Sequence, residues 1–278
     1  MGSLRSLLFS SANRLGHALP KGLQRRIADF PGVLRLLEKL SSRQLEQIAT
    51  PEGGRLAINP LFHSYLSRAG LVDHEPEIRN AILRLTRPGM VAYDIGANVG
   101  VFSFLFASLV GDEGIVYAFE PERNNYHCFR KSLQINQSKN IVLDTRAVGR
   151  AKSTEKFDRR GGAFSGRLVG DAHYEATDNV EIVETVSIDH LVASEGYRPP
   201  DILKIDVEGN ERLVLEGMAN LFQTSSPIII CELHTHLGDP SQRVIELLQG
   251  YGYKITDIGG ALADPKEVAK ELHVIARK

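Results

Sequence analysis

The stretch Val91-Ala92-Tyr93-Asp94-Ile95-Gly96-Ala97-Asn98-Val99-Gly100 decides the fold. Pro88-Gly89 turns the chain into it. Its first residues are a short apolar strand, Gly96 to Gly100 a glycine-rich loop, and Val101 to Val110 an apolar helix. The same alternation continues downstream. A strand over 114–119 is closed by Glu120-Pro121, a helix follows over 123–136, and a third strand begins at Ile141. Further on come a strand at 202–205, a helix at 210–222, a strand at 227–231, a helix at 241–250 and two closing strands near 253–258 and 272–276. Alternation over residues 90–250 predicts a mostly parallel sheet with helices on both faces. Ile228-Ile229-Ile230 is continuously apolar, as a strand buried on both sides must be.

Ligands of such sheets bind beyond the carboxyl ends of the strands, at the switch point. The residues there are Asp94, Glu120, Asp206 and Glu232, four acids at four strand ends. Gly96 suits a left-handed turn and lets a ligand approach the backbone, and Gly100 allows the next helix to pack closely. A dinucleotide site wants G-x-G-x-x-G, but Asn98 replaces the middle glycine and Asp94 sets a negative charge at the mouth of the loop. A Walker loop is excluded because no G-K-[ST] follows. A cationic ligand fits better, one with a sulfonium and an ammonium group, such as S-adenosylmethionine. Its ribose needs an acceptor, and Glu120 stands where dinucleotide folds place their ribose-binding acid.

Four segments then carry a family resemblance: Asp94 to Gly100, Val116-Tyr-Ala-Phe-Glu-Pro121, Asp201-Ile-Leu-Lys-Ile-Asp-Val-Glu-Gly-Asn-Glu211 and Ile230-Cys-Glu-Leu-His234. In order and spacing they resemble the FkbM-type methyltransferases of the class I S-adenosylmethionine-dependent fold, over about residues 73–277. The usual small residue between the glycine and the glutamate of the third segment is Asn210 here. The resemblance implies a Rossmann-like sheet, mostly parallel with an antiparallel last strand, and S-adenosylmethionine as cofactor. It implies that Asp94, Gly96, Ala97, Asn98 and Gly100 hold the methionine end, and that Glu120 and Pro121 frame the ribose and adenine. Asp144 or the Arg146-Ala147 turn would lie beside the adenine.

Methyl transfer to a hydroxyl needs alignment and removal of a proton. Asp206 is the expected group nearest the reacting centre, with Glu208 as a structural, orienting or basic residue. Glu232 and His234 lie two apart on one side of an extended segment, and either could act as base. His234 has the more suitable ordinary pKa. His63 and His236 read as exposed loop histidines. Asp206 with Glu232 is too thin a pair for a divalent cation, so no metal is expected. The acceptor is expected to be a small molecule or a carbohydrate moiety. N-methylation of an amine or amide is one alternative, and a non-catalytic cofactor-binding protein of the same fold is the other.

The remaining sequence bounds the partners. The 278 residues carry 33 basic and 34 acidic side chains, so no charge excess draws the chain to nucleic acid. Two cysteines, Cys128 and Cys231, lie in apolar segments and point to a reducing compartment, hence to the cytoplasm. No apolar run is long and uninterrupted enough for a transmembrane helix, and no signal peptide is expected. Residues 1–72 read as an N-terminal helical extension, with helices over 21–29 and 32–49; a further helix over 73–86 opens the methyltransferase domain, 73–278. Residues 1–28 carry five basic residues and no acid, which reads as an amphipathic helix packed on its own domain, with peripheral membrane contact as the alternative. The extension could serve as a lid or in a homodimer. Residues 151–187, glycine-rich and then alternating at Val180 to Val186, read as a β-rich insertion bordering the substrate pocket.

Overall fold

The computed structural model describes residues 44–63, 65–66, 71, 74–159, 166–169, 180–234, 241–262 and 272–278. The expected helices at 21–29 and over most of 32–49, together with Phe164, Tyr174 and His236, lie outside them.

The principal sheet has seven strands: β3 (Val91–Ile95), β4 (Ile115–Phe119), β5 (Ile141–Asp144), β10 (Ile202–Ile205), β11 (Ile228–Leu233), β12 (Lys254–Asp257) and β13 (Leu272–Arg277). Their order is β12-β13-β11-β10-β3-β4-β5. β3, β4, β5, β10 and β11 are parallel, and β13 runs antiparallel to both its neighbours. The order reverses at β3, which has β4 on one side and β10 on the other. That reversal is the switch point at which such sheets open a crevice.

Side chains alternate across this sheet with the period of two that a pleated strand imposes. Val91, Tyr93 and Ile95 enter one core layer with Leu203, Ile205 and Cys231, and Ala92 enters the other with Ile202 and Ile230. The second layer is covered by α1 (Pro76–Leu85), α2 (Val101–Val110) and α3 (Arg123–Asn136). The first is covered by α4 (Ile188–Ser194), α5 (Glu211–Glu216), α6 (Leu221–Thr224) and α7 (Ser241–Gly250). Helix α4 starts where its cap predicts, with Ser187 Oγ accepting from the His190 amide at 3.2 Å. The helix expected over 210–222 is instead two short ones. Gly217 lies between them, and a Cβ there would stand 2.2 Å from the Gly149 carbonyl oxygen.

Two further sheets flank the main one. Residues 147–186 contribute β6 (Ala147–Val148), β7 (Ser153–Asp158), β8 (Arg167–Val169) and β9 (Val180–Val186), in the order β6-β9-β7-β8. Before the main sheet, β1 (Glu46–Ala49) pairs antiparallel with β2 (Arg55–Ile58), so the helical reading of 32–49 fails at its C-terminal end. Glu46-Gln47 are good helix formers, but the Pro51-Glu52-Gly53-Gly54 turn wins. Gly53 takes φ +89°, and Thr50 closes the turn through the Gly54 amide. The hairpin is tied to α3: Ser132 Oγ accepts from the Ala57 amide at 2.8 Å, and Asn136 bonds both backbone groups of Arg55. Among the described residues no helix is long and apolar enough to cross a membrane.

Candidate functional site

A cleft opens at the carboxyl edge of β3, β4 and β10, with the four-stranded sheet as its far wall. It holds about 640 Å³, part of it open to solvent. Gly96, Asn98, Glu120, Pro121 and Ala147 of the expected cofactor set line it, as do Asp206 and Glu208. Phe157, Gly166 and Leu168 face it from the smaller sheet. Asp94, Ala97, Gly100 and Asp144 do not line it, and neither do Glu232 and His234.

The glycine-rich loop is shaped by the chain itself. Gly96 has φ +80°, and a Cβ there would lie 1.8 Å from the Asp206 carbonyl oxygen, so the loop can pass the end of β10 only as glycine. Gly100, at φ +95°, sits under the Phe129 ring, which a Cβ would meet at 2.6 Å. Asp94 departs from its expected place at the loop's mouth. It is fully buried, accepts from Ser103 Oγ at 2.5 Å, and stands 3.7 Å from the Lys204 ammonium. Lys204, equally buried, donates to Asp206 Oδ2 at 3.1 Å. Burial alone would lower its pKa, but the charges of Asp206, Asp94 and Glu75 outweigh this and raise it, so the ammonium stays charged. The Asp94 charge is therefore spent inside the protein. Sequence reading placed Lys204 within the strand at 202–205 and missed this pairing.

Glu120 is 5% exposed at the end of β4. Its Oε2 accepts from the Asn98 amide at 2.8 Å, which holds Asn98 in a left-handed conformation at φ +52°. Its Oε1 accepts from the Glu122 amide at 2.8 Å and from Asn125 Nδ2 at 3.3 Å. Burial and the neighbouring Glu122 charge push its carboxyl up to about 8 against the pull of these bonds. Glu122 in turn caps α3 and pairs with Arg159 of the smaller sheet at 2.6 Å, both side chains 3% exposed. Asp144 is engaged elsewhere: Arg146 and Tyr197 hold it, at 2.6 Å and 3.0 Å. Ala147, not Asp144, is the residue of that turn that reaches the cleft.

At the β10–β11 end, His234 is the centre of a carboxylate cluster. Its Nδ1 lies 2.8 Å from Glu211 Oε1. Its Nε2 lies 3.5 Å from Glu208 Oε2, 3.7 Å from Glu232 Oε1 and 3.9 Å from Asp206 Oδ1. Burial would lower the ring's pKa, but the Glu211 bond and the surrounding charges win and push it up to about 9. That shift favours the charged ring, which works against the expected role of His234 as a base. Burial pushes Glu208 up to about 7, with Asp206, Glu232 and Glu211 adding to this and His234 opposing it. Its backbone is left-handed at φ +54°, a costly conformation for a residue with a Cβ. Two sets of donor atoms among the described residues come within 4.8 Å of one another, Asp206–Glu232–His234 and Glu75–Glu232–His273.

The methyltransferase FkbM domain family model matches residues 94–255, which contain every residue of this cleft described above. The 31-O-demethyl-FK506 methyltransferase FkbM of Streptomyces tacrolimicus is 29% identical over 220 residues, 69% of this chain and 82% of that protein. The hexuronic acid methyltransferase AglP of Haloferax volcanii is 26% identical over 175 residues, 63% of this chain and 67% of that protein. The solved structure of the methyltransferase FkbM from Methylobacillus flagellatus aligns at 15% identity with a TM-score of 0.45, covering 88% of this chain and 59% of that one.

Proposed function

The chain belongs to the methyltransferase FkbM domain family and is an S-adenosylmethionine-dependent methyltransferase, and from that premise we propose that its acceptor is a hydroxyl of a small molecule or carbohydrate. The observation that carries this reading is that one cleft holds Glu120 at one end and the Asp206–Glu208 pair at the other. The first suits a ribose and the second a hydroxyl that must lose a proton.

The residues fit the nucleoside. Glu120, already fixed by two backbone amides, keeps lone pairs for the ribose hydroxyls, and its bonds to them strengthen once it is ionised above about pH 8. Ala147, Val148 and Phe157 give an apolar wall for a flat base. Gly96 leaves the loop backbone bare beside the Asp206 end of the cleft, where the methionine moiety would lie.

Bound S-adenosylmethionine would supply a methyl group activated by sulfonium, and its transfer to a hydroxyl oxygen would leave the electron pair on sulfur and the hydroxyl proton on the protein. Glu208 is the group we assign to receive that proton: it lines the cleft, and burial raises its proton affinity. Asp206, held by Lys204, orients the hydroxyl. His234, anchored on Glu211, offsets the repulsion between Glu208 and Asp206 and holds both beside its ring. Glu232 then acts through His234 and His273 rather than on the acceptor.

Incubating the enzyme and metabolite or glycan extracts with methyl-labelled cofactor, and identifying the labelled product, tests the proposal. An O-methyl ether whose formation is lost in Glu208→Gln supports it, and a methyl ester, formed on a carboxylate that has no proton to lose, contradicts it. A product labelled on nitrogen contradicts it.

A further inference from the structure

His63 was expected to be an exposed loop residue, yet its side chain is 0% exposed. It lies ahead of the family match, just after the β1–β2 hairpin. The Asn59 amide donates to its Nδ1 at 3.1 Å, so a neutral ring carries its proton on Nε2. That Nε2–H points at Asn125 Oδ1, 2.9 Å away. Burial pushes the ring down to about 4 against these bonds, so it stays neutral across the working pH range. With its oxygen committed to His63, the Asn125 amide must present its nitrogen to Glu120, and Nδ2 stands 3.3 Å from Oε1. The opposite amide orientation would set a carbonyl oxygen against a carboxylate.

Resting on the assignment of Glu120 to the ribose, we propose that His63 is a positioning residue for the cofactor site: through Asn125 it fixes the Glu120 carboxylate in the orientation that receives the nucleoside. A segment outside the family's own motif region thus completes the cofactor pocket. The packing alone would be served by leucine. What leucine cannot supply is the donor that sets the amide.

The test is calorimetric titration of S-adenosylhomocysteine into the full chain and its variants. His63→Leu is expected to weaken binding about tenfold, the size of one buried hydrogen bond lost with its partner left unpaired. His63→Gln offers both a donor to Asn125 and an acceptor to Asn59, and is expected to restore affinity to within about twofold. In a Glu120→Gln background, His63→Leu is expected to add nothing further, since the residue it acts through is gone. If His63→Leu does not fold, His63→Asn, too short to reach Asn125, carries the same expectation. Equal losses from His63→Leu with and without Glu120 would overturn the proposal, because they would mean general loosening. So would unchanged binding in His63→Leu while Glu120→Gln weakens it, a result that leaves the ribose assignment standing. Unchanged binding in Glu120→Gln would instead remove the ribose assignment itself.

Discussion

At the β3–β4 end of the cleft, Glu120 is surrounded by backbone amides and a side-chain amide. At the β10–β11 end, Asp206, Glu208 and Glu232 are gathered around one imidazolium ring, with Lys204 beneath. The first environment holds a carboxyl group still with dipoles that do not move and leaves lone pairs for a guest. The second gathers several carboxylates round a cationic ring, and burial, with the neighbouring carboxylates, raises the proton affinity of Glu208. On the proposed reading one end binds the nucleoside and the other exchanges a proton. The acids look alike in sequence, and their neighbours separate their tasks.

The largest expected effect falls on the proton-exchanging end. Glu208→Gln should lower methyl transfer by about 10²–10⁴-fold, the usual contribution of a general base. S-adenosylhomocysteine binding should hold within about twofold, since Glu208 lies away from the ribose end. An equal loss of both would show that the two ends are not separable.

The binding end should break structurally before it breaks chemically. Arg159→Met takes the guanidinium from the buried Glu122 carboxylate, beside Glu120, and should cost about 3–5 kcal/mol in denaturant unfolding. Glu122→Gln in the same background should recover part of that loss, because the stranded charge is then gone.

A smaller effect separates the ends by pH. His234 is raised from its ordinary 6.5 to about 9 in the folded protein, so its contribution is complete below 6.5 and is lost as pH rises through 9. That contribution is up to about 3 kcal/mol at 1.4 kcal/mol per pKa unit. Thermal unfolding followed from pH 6 to 9.5 should show the melting temperature falling, and His234→Gln should flatten the slope. Glu120 acts on binding in the opposite sense. With its carboxyl raised to about 8, S-adenosylhomocysteine affinity should rise as pH passes through 8 and the acceptor becomes charged.

Much of the frame could be read from sequence because it depends on local pattern. Continuous apolar strands, the Gly96–Gly100 loop and the acids at strand ends all follow from spacing and chain geometry. What was misread depends on partners distant in sequence. Asp94 looked available until Lys204, 110 positions on, was found against it. The carboxylates of Glu208, Glu211 and Glu232 around His234 could not be read from its spacing to Glu232. His63 looked exposed because nothing near it in sequence announces Asn125. The β1–β2 hairpin did have a local signal, Gly53-Gly54 after Pro51, which helix-forming residues on its N-terminal side obscured.

The most direct measurement is a titration of S-adenosylhomocysteine into the wild-type chain and Glu120→Ala at pH 8.5, with folding verified by circular dichroism. The account predicts that the substitution weakens binding by at least about tenfold, as the loss of a charged acceptor for ribose hydroxyls should. Equal affinity in the two proteins would mean that the nucleoside does not sit at the end of β4, and would contradict the account.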